Sequence, residues 1–85
     1  MKYYIGRIEE RNGDFEYRDT YLFATEGNPH DYAEKQAKEW RGSGDADWSD
    51  EHEAWWCDHT LINNGGWVEI SKEEFEVLSK HIVVL

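Results

Sequence analysis

The stretch that decides the fold is Tyr3-Tyr4-Ile5-Gly6-Arg7-Ile8-Glu9-Glu10-Arg11-Asn12-Gly13-Asp14-Phe15-Glu16-Tyr17-Arg18-Asp19-Thr20-Tyr21-Leu22-Phe23-Ala24-Thr25. Residues 3–10 are rich in strand formers and lead into Asn12-Gly13, a strong two-residue hairpin turn signal. The return segment alternates: Phe15, Tyr17, Tyr21 and Phe23 share one face, with Asp19 interrupting. A two-residue turn at Asn12-Gly13 places Tyr4 opposite Tyr21 and Ile8 opposite Tyr17, both favourable cross-strand pairs. It also places Glu9 opposite Glu16 and Arg7 opposite Arg18, which repel. A bulge near the turn would relieve this by moving Arg7 opposite Asp19.

Downstream, Asn28 is a good N-cap, Pro29 suits the first helical position, and Asp31 favours the positive end of the helix dipole. Tyr32, Ala33, Gln36, Ala37 and Trp40 form one buried stripe, and Asp31–Lys35 and Glu34–Lys38 pairs mark the solvent side. Gly42-Ser43-Gly44 stops this helix. Residues 45–53 read as a carboxylate-rich loop, and no Lys or Arg occurs between Arg41 and Lys72. Residues 54–62 read as a strand, with Trp55, Cys57, His59 and Leu61 on one face and Trp56, Asp58, Thr60 and Ile62 on the other. Asn63-Asn64-Gly65-Gly66 reads as a turn, and Trp67–Ile70 as a short returning strand. Ser71-Lys72-Glu73-Glu74 is a capping box, with Phe75, Leu78 and Ile82 forming the apolar stripe of a final helix. The order expected is therefore ββαββα. Residues 1–85 form one acidic α+β domain, a four-stranded antiparallel sheet of two hairpins with both helices packed on one face.

Composition narrows the partners. The 85 residues carry nine Lys and Arg against nineteen Asp and Glu, for a net charge of −10. Direct nucleic-acid binding is not expected, because cationic side chains supply the phosphate contacts. The longest apolar run, Ile82-Val83-Val84-Leu85, is far too short to cross a membrane as a helix. The first residues carry no secretory signal pattern, and the single Cys57 suits a reducing, cytoplasmic setting. A chain this small without disulfides needs a dense core or a staple, and thirteen aromatics supply the bulk with some left over for a surface.

Catalytic and metal motifs are weak. His52, Cys57 and His59 are zinc-type ligands, but structural zinc wants four, and a fourth would come from Asp58 or a distant His30 or His81. Asp45-x-Asp47-x-Ser49 opens like a calcium loop, yet Asp50 and Trp56 stand where an EF-hand needs Gly and Glu. Cys57-Asp58-His59 contains the residue types of a nucleophilic site, but strand neighbours point to opposite faces, so Asp58 does not orient His59. No cofactor, metal or catalytic residue is assigned, and no enzyme activity is expected.

The strongest signal is acid interleaved with Trp. The candidate partner-binding residues are Asp45, Asp47, Trp48, Asp50, Glu51, Glu53, Trp55 and Trp56, with a second acidic patch at Glu9, Glu10, Asp14 and Glu16. Regularly spaced negative charge beside flat rings is what a basic nucleic-acid-binding groove accepts. In size, charge and aromatic content the chain resembles small acidic inhibitors of nucleic-acid enzymes, the phage anti-restriction, anti-CRISPR and nuclease-immunity proteins. The likeness rests on no shared motif and transfers no residue. The reading is a domain that binds and inhibits a basic nucleic-acid-handling protein or nuclease by nucleic-acid mimicry. One alternative is a structural or adaptor module forming a homodimer through Tyr17, Tyr21, Phe23 and Trp67 or through an edge strand. Another is a divalent-metal-binding module.

Overall fold

A computed structural model describes residues 1–85. Five antiparallel strands, β1 (Lys2–Asn12), β2 (Phe15–Thr25), β3 (Asp47–Ser49), β4 (Ala54–Cys57) and β5 (Thr60–Ile70), form one sheet in the order β2-β1-β5-β4-β3. Helix α1 (Pro29–Lys38) follows the first hairpin and α2 (Lys72–Leu78) follows β5. The fold is α+β, with one more strand than the four expected and an order of ββαβββα. No helix is long and apolar enough to cross a membrane.

The first hairpin forms with a shifted register. Asn12 pairs with Phe15, so Gly13-Asp14 is the connection, and Gly13 takes a φ of 61°. Tyr4 faces Phe23, Glu9 faces Arg18 and Arg11 faces Glu16. The shift is two residues from the expected pairing, so every side chain keeps its face while repulsive pairs are replaced by attractive ones. No bulge is needed in this hairpin.

The other misreadings lie in the second half. Thr60–Ile70 is one eleven-residue strand, and the turn lies earlier, at Asp58 (φ 46°) and His59 (φ 68°), where Cys57 pairs with Thr60. Asn64-Gly65-Gly66 is a bulge. β5 places two residues opposite Arg7, between the Ile8–Asn64 and Gly6–Trp67 pairs. Gly66 sits at φ 104°, which a side chain disfavours. The extra residue switches the alternation, so Ile62 and Trp67 share a face despite their odd spacing. Asp47–Ser49, expected as loop, pairs with β4 as the short outer strand.

The two helices cover opposite faces, not one. Tyr4 stacks on Phe23 at 5.0 Å, and Phe23 stacks on Tyr32 of α1 at 4.6 Å. Tyr3, the neighbour of Tyr4 and therefore on the reverse of the sheet, meets Phe75 of α2 at 4.8 Å. On the α1 face Tyr4, Ile8, Tyr21, Phe23, Ala37, Ala46 and Ile62 form the core. Ala33 and Ala37 let the helix lie close, while Tyr32 and Trp40 pack at its margins. Asn28 caps α1 by accepting from the His30 N–H at 2.8 Å, and Ser71 and Glu74 complete the capping box of α2. On the solvent side of α1 the ion pair that forms is Lys35–Glu39; the Asp31–Lys35 and Glu34–Lys38 pairs do not.

Gly6 is the tightest point. A Cβ there would lie 2.4 Å from Cζ of Tyr21, whose ring lies against β1 at that position. Tyr21 is 1% exposed, and its hydroxyl has no hydrogen-bond partner. Burial, with Tyr32 and Glu34 nearby, pushes this phenol up to about 12.

Gly6→Ala should destabilise the fold by about 2 kcal/mol, as overpacking does, seen as a lower urea midpoint. Tyr21→Phe removes an unpaired buried hydroxyl and should stabilise by about 1 kcal/mol. Because the folded-state value of Tyr21 exceeds the unfolded one, wild-type stability should fall as pH rises from 10 to about 12. The drop is roughly 2 kcal/mol, read as the difference between wild-type and Tyr21→Phe urea midpoints at pH 9 and at about pH 12.

Candidate acidic interface

After α1 the chain reverses through left-handed residues, Trp40 (φ 46°), Arg41 (φ 56°) and Gly42 (φ 82°). The Arg41 guanidinium pairs with Asp19 of β2, and the Ala46 N–H donates to the Lys38 carbonyl at 2.7 Å. These two ties set the start of β3 against the end of the helix.

The β3–β4 hairpin then divides the candidate residues by pleat. Trp48 pairs with Trp55 on the α1 face, their rings edge to face at 5.2 Å. Trp55 is half-buried against the core and donates its indole N–H to Glu34 of α1 at 3.0 Å, with the Lys38 ammonium 5.9 Å from its ring centroid. Trp48 is 50% exposed and donates to Asp50 at 2.8 Å. On the reverse face Asp47 pairs with Trp56, which is exposed between His52 (ring centroids 6.2 Å) and His59 (6.1 Å). Asp45 precedes β3, and Asp50, Glu51 and Glu53 lie in the turn that joins β3 to β4.

Asp45, Asp47, Asp50, Glu51 and Glu53 are all exposed, and none takes part in an ion pair. The second acidic patch is different: Glu16 pairs with Arg11 at 2.9 Å and Glu9 with Arg18 at 3.9 Å. A concavity of about 290 Å³ above these pairs, also bordered by His52 and Asn63, is therefore of mixed charge. In that patch Glu10 and Asp14 remain outside any ion pair, whereas at the β3–β4 edge all five acids do.

The metal and nucleophile candidates do not assemble. No three His, Cys, Asp or Glu side chains converge as a ligand set. His59 sits in a turn rather than beside Cys57 on a strand face, while His52 is stacked on Trp56 on the reverse of the sheet. Burial pushes the Cys57 thiol up, assisted by the charges of Asp58 and Asp47. A nucleophilic cysteine needs the opposite shift.

Of the sheet aromatics considered as a contact surface, Tyr21 and Phe23 are sealed beneath α1, whereas Tyr17 and Trp67 are exposed. Sequence reasoning missed Glu34, which fixes Trp55, and Arg41, which fixes the hairpin's origin. Both act across long sequence separations, so no local pattern announces them. Comparison with protein-family models, with curated proteins and with solved structures finds no match.

A double-mutant cycle of Glu34→Ala and Trp55→Phe should give a coupling of about 1 kcal/mol in urea unfolding, since the pair is half-buried and charge-assisted. Cys57 should react with a thiol reagent at pH 7 more slowly than an unstructured cysteine, measured by absorbance.

Proposed function

We propose that this chain is a non-enzymatic acidic protein-binding domain that docks into the basic groove of a nucleic-acid-handling protein and blocks it. One observation carries the reading: five exposed carboxylates outside any ion pair lie in residues 45–53 with the exposed Trp48, on a hairpin that packs against the core through Trp55. Elsewhere on the chain five of the fourteen other acids have a cationic partner, whereas none of these five does, in a stretch of thirty residues that holds no Lys or Arg. Such a surface costs repulsive energy in the free protein and is relieved by a cationic partner. It also accelerates encounter with that partner, at rates that fall as salt rises.

Trp48 supplies what charge alone does not. A ring packed on Trp55 and tethered to Asp50 loses little conformational freedom on docking, and aromatic anchors carry much of the energy of protein interfaces. Acid around a flat ring offers a nucleic-acid-binding groove the two features it recognises in its substrate. Trp55 serves this surface from beneath, as the support for Trp48. Asp47 and Trp56 extend it around the edge to the reverse face.

The test compares wild type with Asp45→Asn, Asp47→Asn, Asp50→Asn, Glu51→Gln and Glu53→Gln combined, as bait in host lysate. Wild type should capture a basic nucleic-acid-binding protein, release it steeply with salt, and lose it to competing DNA. The variant should capture at least tenfold less, about 1.4 kcal/mol or more in binding free energy. Equal capture by both proteins, or a captured partner that still binds DNA, would overturn the reading.

A further inference from the structure

The opposite edge of the sheet is built differently. β2 runs eleven residues without a bulge, and contains no Lys or Pro, the residues that usually guard an outer strand. In its C-terminal half the outward edge is capped at Leu22 by the chain's own last residues. The Leu22 N–H donates to the Val83 carbonyl at 2.8 Å, and the Leu22 carbonyl accepts from the Leu85 N–H at 2.9 Å. The Leu22 backbone therefore points away from β1, and by the two-residue period so do those of Thr20, Arg18 and Glu16. Outside the regular strand pairing, no backbone hydrogen bond reaches residues 15–20. All six are exposed, and the molecule is elongated, 39 Å along its longest axis against 19 Å along its shortest.

We propose that this free edge of β2 pairs antiparallel with the same edge of a second copy, about a two-fold axis at Tyr17, joining both sheets into one. The register follows from charge and from hydrogen-bond direction together. With Tyr17 facing the partner's Tyr17, Glu16 faces the partner's Arg18 and Arg18 faces the partner's Glu16. Both residues of each charged pair direct their N–H and C=O outward, as a hydrogen-bonded pair requires. Tyr17 falls at the non-hydrogen-bonded position, where side chains approach most closely.

The seam is complementary beyond the first pair. Within one copy Arg18 already lies beside Glu9 and Glu16 beside Arg11. Across the axis the row reads Glu9, Arg18, the partner's Glu16, the partner's Arg11, with charge alternating at every step. Shifting the strands by two residues would oppose Arg18 to Arg18 or Glu16 to Glu16. On the α1 face, Phe15 and Tyr17 are 67% and 58% exposed and stacked at 6.4 Å, and pairing would cover them. The net charge of −10 opposes self-association elsewhere on the surface, but this edge carries its acids paired. The contact is smaller than a standard interface, so the association is of the weak, concentration-dependent kind. It also leaves both β3–β4 edges free, at the two far ends of the joined sheet.

Sedimentation equilibrium up to millimolar protein tests this at physiological salt. Wild type should dimerise with concentration. Glu16→Arg and Arg18→Glu should each remain monomeric where wild type is dimeric, and their equimolar mixture should dimerise again, because each new charge then meets its opposite. Tyr17→Cys in a Cys57→Ser background tests the register without depending on charge. Facing Cα atoms at a non-hydrogen-bonded site lie about 4.5 Å apart, within disulfide range, so mild oxidation should give a covalent dimer. Thr20→Cys in the same background, which faces the partner's Asp14, should not. Wild type monomeric throughout, unchanged dimerisation by both charge variants, or equal cross-linking at positions 17 and 20 would overturn the proposal.

Discussion

The structure depends on one close approach. The ring of Tyr21 lies against β1 at Gly6, and only the absence of a side chain there permits it. That approach brings Tyr21 to within 5.6 Å of Phe23, on which Tyr4 and Tyr32 also stack, at 5.0 and 4.6 Å. The aromatic stack joins β1, β2 and α1 and is the bulk of the core. A chain with twelve buried residues has little else with which to offset the entropy of folding. Its cost is the unpartnered Tyr21 hydroxyl, tolerated because the same ring fills the space between sheet and helix.

The rest of the sheet is arranged to serve that face. The bulge at Gly65-Gly66 turns Trp67 toward Tyr4, where the rings meet edge to face at 5.6 Å. Trp55 reaches the same face from β4 and is tied to the helix through Glu34. The reverse face is closed more lightly, by a seven-residue helix with no fully buried residue. Burial is therefore asymmetric, and the outer strands on both sides are left accessible.

Those two outer strands carry opposite electrostatic characters. β3 and the turn after it collect acids with no cationic neighbour, around a Trp that the core holds still. β2 carries acids and bases that are already paired, Glu16 and Arg18 with β1 and Asp19 with Arg41. The first pattern suits a strongly basic partner and discourages a second copy, since like charges would meet. The second pattern changes sign on either side of Tyr17, acid at Glu16 and base at Arg18, so an antiparallel second copy meets it with opposite charge. A chain of net charge −10 thus offers one edge for unlike charge and one for self-pairing.

Sequence by itself determined the elements whose signals are local. The first hairpin, the Asn28 and Ser71 helix starts, and the acid–Trp composition of residues 45–56 are all legible because their causes lie within a few residues of one another. The register of the hairpin was not, since a two-residue slip preserves every face and only the summed charge pairing separates the alternatives. Gly65-Gly66 carries the same local signal in a bulge as in a turn; the difference is made by β1, which supplies Arg7 opposite the extra residue. Residues 47–49 became a strand only because β4 stood beside them, and the helices took opposite faces because Tyr3 and Tyr4 point to opposite sides of one strand. Which of the eight candidate interface residues face solvent was likewise decided by tertiary contacts. Glu34 drew Trp55 inward from a distance in sequence at which no periodicity operates, and left Trp48 outside.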